Sequence, residues 1–135
     1  MEESPSSIFN RQFIYLLNLT LQKTGDTKIG IYLRDIRLLT GNEPNYLVEI
    51  IGPILFRLKD DIARSDHTTF LDTVPEDMYE VSTRTNKEDV SHCVRKIQDL
   101  IRTVSPNKNE SGKLQQHLMQ MCKSYALYEK GRSMI

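Results

Sequence analysis

Two cysteines and three histidines are the residues of this 135-residue chain with the widest range of chemistry open to them. His92-Cys93 and His117/Cys122 fall in the two last periodic segments, and His67 stands apart from both. A zinc site needs about four converging ligands, usually two to four residues apart within each pair. On a helix the adjacent His92 and Cys93 point about 100° apart, and the spacing of His117 and Cys122 is equally awkward. Cys93 and Cys122 both sit on apolar stripes, away from the loops and helix starts where a thiolate is stabilised, and neither carries a nucleophile motif. They read as buried core thiols. The acidic pairs Asp60-Asp61 and Glu76-Asp77 are neighbours in sequence, so they face different directions on a helix, and the isolated glycines form no phosphate-cradling loop. These features predict no catalytic residue, cofactor, metal or small-molecule substrate, and a protein that is not an enzyme.

Charge is balanced overall and uneven along the chain. From Asp60 to Asp89 nine acidic residues face three basic ones, a local charge of −6, and from Val90 onward eight basic residues face three acidic ones, a local charge of +5. Opposite charges of this kind attract within one molecule or orient one copy or partner against another. They also allow a nucleic-acid reading, in which Arg95, Lys96, Arg102, Lys113, Lys123 and Arg132 contact phosphate, with Lys108 and Lys130 nearby. These residues spread around two helices without a helix-turn-helix signature, which makes an accessory nucleic-acid-binding role the alternative. The leading expectation is a protein partner or self-association. Met119, Tyr125, Tyr128 and Met134 make the end of the chain apolar on more than one side, and tyrosine and methionine are enriched in contact surfaces. Tyr125 also belongs to the stripe expected in the core.

The elements that must position these residues are helices. The most apolar stretch, Pro44 to Arg64, carries Leu47, Ile50, Ile51, Ile54, Leu55, Leu58 and Ile62 at three- and four-residue steps and reads as a long central helix around which the rest is organised. Pro53 is expected to kink it. Before it, Ser6 or Ser7 is expected to cap a helix to about Lys23 with Phe9, Phe13, Leu16, Leu17 and Leu21 inward, after a loose start at 1–6. A second helix runs from Thr27 or Lys28 to Leu39 on Ile29, Leu33, Ile36 and Leu39, closed by Gly41 and followed by Asn42 as the next cap. Residues 72–86 read as an acidic exposed connection with one helical turn around Pro75–Tyr79, and Phe70-Leu71 are expected to reach the core.

Residues 87–135 read as a helical hairpin. Its first arm, capped by Asn86, spans 87–104 on Val90, Cys93, Val94, Ile97, Leu100, Ile101 and Val104. Its second arm spans Lys113 to Glu129 on Leu114, His117, Leu118, Met121, Cys122 and Tyr125, and ends at Gly131. No alternating strand is found. The expected fold is all-α: a single-domain bundle of about five helices over 1–135.

Length, 39% hydrophobic and 27% charged residues fit one globular domain large enough to form a core without metal or disulfides. The acidic MEESPSS start has no leader pattern, and Glu49 interrupts the best apolar run before it reaches the roughly 18 residues of a membrane span. The expected setting is intracellular, in cytoplasm or nucleus, with reduced thiols. The glycosylation sequons at Asn18-Leu19-Thr20 and Asn109-Glu110-Ser111 are coincidental in that setting.

Phe13-Ile14, Asp26, Tyr32, Ile36, Asn45, Ile50-Ile51, Ile54-Leu55, Ile62 and Asp66 through Phe70-Leu71 together resemble the pattern of short, lineage-restricted helical proteins of large double-stranded DNA viruses. The order departs at Glu43-Pro44-Asn45, and Thr69 stands where that pattern has a second aromatic. The resemblance covers under half the chain and implies no activity. It implies a viral protein that is packaged in the virion or used in its assembly. The combined reading is a non-enzymatic structural or assembly component acting through protein–protein contacts.

Overall fold

The computed structural model describes residues 3–63 and 87–133, with side-chain surroundings for 3–56 and 92–132. Five helices account for them: α1 (Pro5–Thr24), α2 (Thr27–Asn42), α3 (Tyr46–Ala63), α4 (Lys87–Val104) and α5 (Lys108–Ser133), with no strand among the described residues. The all-α bundle stands. The expected acidic connection at 72–86, the placements of His67 and Phe70-Leu71, the Asn86 cap, the side chains of Leu58, Ile62 and Val90, and Met134 lie outside the described residues.

The apolar stripes are buried as their spacing requires. Phe9, Phe13, Leu16 and Leu17 from α1 meet Ile29, Leu33, Ile36 and Leu39 from α2. Leu47, Ile50, Ile51, Ile54 and Leu55 of α3 join Val94, Ile97, Leu100, Ile101 and Val104 of α4 and Leu114, Leu118 and Met121 of α5 in one core. The helix at the centre is α1 rather than α3: α1 packs on each of the other four, whereas α3 rests mainly on α5 and α1. A helix with neighbours on several sides stands inside a bundle even when its stripe is no more apolar than the next. Helices α4 and α5 touch one another less than each touches α1.

Several helix ends differ from expectation. Helix α1 starts at Pro5, because the Ser4 hydroxyl accepts from the Ser7 amide at 3.1 Å and proline suits a first helical position. Helix α2 runs through Gly41 to Asn42 and is closed by the Glu43 amide donating to the Leu39 carbonyl at 2.7 Å. Asn42 therefore ends α2 instead of capping α3. Helix α5 begins at Lys108, five residues early, because the Asn107 side chain accepts from the amides of Asn109 and Glu110, both at 3.1 Å. Gly112 and Gly131 are then interior to it. By contrast Gly25, at φ 70°, closes α1 with its amide on the Leu21 carbonyl, the left-handed geometry that glycine adopts without strain.

The turn between α2 and α3 is held by the start of α1. Ser6 donates to Asn45 Oδ1 at 2.6 Å, and the Asn10 side-chain amide donates to the Pro44 carbonyl at 3.1 Å.

Candidate functional site

Helix α5 has two engaged sides and one open side, and that division defines the candidate site. Its first engaged side faces α1. His117 Nε2 donates to the Gln12 backbone carbonyl at 2.9 Å, Ser124 donates to Gln12 Oε1 at 2.9 Å, and Lys23 pairs with Glu110 at 2.8 Å. As α1 advances from Gln12 to Lys23 its partners on α5 step back from Ser124 to Glu110, so the two helices run antiparallel.

The second engaged side faces α3 and is built around a missing side chain. A Cβ added at Gly52 would lie 3.0 Å from both Cγ and Cε1 of Tyr125 and nearer still to Cδ1. The ring therefore rests on the backbone of α3. One residue later Pro53 supplies no N–H, so the Glu49 carbonyl loses its donor within the helix. The Tyr128 hydroxyl meets the same residue by donating to the Glu49 carboxylate. Burial, then that hydrogen bond and the Glu49 charge, push the Tyr128 phenol up to about 12, with Arg132 opposing. Burial and then the Glu129 charge raise Tyr125.

The open side carries apolar surface. Met119 is 43% exposed and Leu127 is 56% exposed. At about 100° per residue, Met119, Lys123, Ala126, Leu127 and Lys130 share an arc roughly 100° wide, and Lys123, Ala126 and Lys130 are also exposed. Met119 and Lys123 thus lie on the outer face, whereas Tyr125 and Tyr128 turn inward against α3. Leu127 was legible as an apolar residue off the α5 core stripe. Ile31 and Leu38, exposed on α2 and seven residues apart, carry the same signal.

Three of the basic residues on α4 and α5 have acidic neighbours within ion-pair distance. Lys96 lies 3.6 Å from Asp26 and 3.5 Å from Asp99, Arg102 lies 3.4 Å from Asp99, and Arg132 lies 2.7 Å from Glu129. Arg95, Lys113 and Lys123 are exposed, with Lys113 at a groove between α1 and α5 and Lys123 on the outer face.

The histidines and cysteines have separate surroundings. Cys93 and Cys122 are buried thiols in the core. His92 Nε2 donates to Asp26 Oδ2 at 2.5 Å, and its ring meets Tyr32 edge-on at a centroid distance of 5.4 Å. Asp26 Oδ1 meanwhile caps α2 by accepting from the Lys28 amide at 3.0 Å. Burial raises the Asp26 carboxyl, but the His92 hydrogen bond, the Lys28 amide and the charges of His92 and Lys96 outweigh it and hold it below its ordinary value. This pairing of a helix cap with a histidine 66 residues away has no local signature in sequence. Among the described residues no three His, Cys, Asp or Glu side chains are grouped to hold a metal, and no helix is long and apolar enough to cross a membrane.

No family model, curated protein or solved structure matches the chain.

Proposed function

We propose that the protein is a non-enzymatic assembly component that associates with further copies of itself through the outer face of α5. The observation that carries this reading is the joint exposure of Met119 and Leu127 on one arc of a helix whose other sides are occupied by α1 and α3. Met119 and Leu127 are already about half covered, so burying the remainder in two copies contributes about 3–6 kcal/mol. Association costs about 4–15 kcal/mol in lost freedom, so these contacts give at most weak, concentration-dependent assembly and need the charged regions of the chain to orient them.

The acidic stretch from Asp60 to Asp89 and the basic stretch from Val90 onward supply the orientation: opposite charges on two identical chains favour alignments that bring them together. The resemblance to helical proteins of large double-stranded DNA viruses supports a role for this assembly in the infected cell or the virion.

Co-expression of tagged and untagged copies tests the proposal. The untagged chain is expected to remain with the tagged one through nuclease treatment and 0.5 M salt, because the Debye length falls to about 4 Å while apolar burial persists. Complete loss of the untagged chain on nuclease treatment would move the reading to the nucleic-acid alternative.

A further inference from the structure

The groove between α1 and α5 offers a second site, bordering the outer face at Gln116 and Gln120. It encloses about 480 Å³, within the roughly 300–1,000 Å³ of small-molecule sites. Leu19, Leu114, Val104 and Leu100 give it an aliphatic floor, and the end of α4 closes it on that side. Tyr15, 58% exposed, stands at the opposite end with its ring 4.8 Å from that of His117.

The charges at the groove are unequal. Lys23 and Glu110 neutralise one another across it at 2.8 Å. Lys113 also lines the groove and has no ion-pair partner among the described residues. The two lysines and one glutamate of the lining leave a net single positive charge. Gln116 and Gln120 follow Lys113 at three and seven residues, so their amides stand on the same side of α5. An aliphatic floor, one uncompensated ammonium and neighbouring amide donors match an amphiphile with a single anionic end.

We infer that this groove binds a linear aliphatic carboxylate, with its chain along Leu19 and Leu114 and its carboxylate on Lys113 and Gln116. The expectation from sequence of no small-molecule substrate is unaffected, since this is a ligand and no reaction is assigned to it. A nucleotide fits less well: Tyr15 is the one exposed aromatic at the groove and the floor beside it is aliphatic.

The test titrates the full-length ¹⁵N-labelled protein with decanoate, below its micelle-forming concentration, and follows amide shifts. Saturable shifts at Leu19, Lys113 and Gln116 are expected, with decan-1-ol and decyltrimethylammonium binding at least several-fold more weakly. Lys113→Gln, at an exposed position that the fold does not require, should weaken decanoate on the order of tenfold, the scale of one charge-assisted hydrogen bond. Lys123→Gln, an exposed cation elsewhere on the same helix, should change nothing. Equal binding of decanol and decanoate, an unaffected Lys113→Gln protein, tighter binding of adenosine monophosphate, or shifts centred on Ile31 and Leu38 would each overturn the assignment.

Discussion

The ring of Tyr125 occupies the space in which any side chain at position 52 would stand. Glycine there is a packing requirement of the α3–α5 contact, the most extensive between helices in the described fold. Gly52→Ala should destabilise the protein by about 1–3 kcal/mol, the usual cost of forcing an extra methyl into a packed contact, even though alanine is the better helix former. Urea unfolding of Gly52→Ala, Tyr125→Leu and the double variant checks the cause. The double variant should lose less than the two single losses added together.

Tyr128 predicts alkaline sensitivity. Its folded pKa of about 12 lies above the unfolded value of about 10, so the fold favours the protonated phenol. That contribution is fully present below pH about 10 and is lost as pH rises through 12. An ultraviolet titration of tyrosinate should show a component that ionises near pH 12, well above the ordinary phenol range. Tyr128→Phe should remove that component and lessen the loss of stability above pH 10.

Asp26 predicts the opposite limb. Its folded pKa lies below the ordinary value, so its contribution is present above the unfolded value of about 3.9 and is lost as pH falls through the folded one. Asp26→Asn keeps a side chain that caps α2 as well as aspartate does and removes the charge facing His92 and Lys96. Chemical unfolding should show a smaller stability difference between pH 6 and pH 3 in this variant. Asp26→Ala should lose about 1 kcal/mol more at pH 6, the usual worth of a cap.

The buried stripes of all five helices were legible in the sequence because helix period and hydrophobicity coincide at residues such as Phe13, Leu33, Ile51, Ile97 and Leu118. The ends were less legible. Gly41 and Gly131 look like stops, but one interior glycine costs only about 1 kcal/mol, less than the packing of the turns around it supplies. Asn107 starts α5 in the stretch expected to separate the two arms of the hairpin, because its side chain satisfies two orphan amides. The links Gly52–Tyr125, Glu49–Tyr128 and Asp26–His92 join residues far apart in the chain and leave no periodic trace. Leu127 could have been found by asking which apolar residues fall outside a core stripe.

The most direct test of the assembly reading is sedimentation equilibrium of the purified full-length protein from micromolar to near-millimolar concentration, in 0.15 M and 0.5 M salt. It is compared with the Met119→Lys/Leu127→Lys variant, whose unfolding midpoint should match the wild type because both side chains are exposed. Concentration-dependent association of the wild type is expected at both salt levels, with at least tenfold weaker association of the variant. A wild type that stays monomeric throughout, or a variant that associates as strongly, would contradict it.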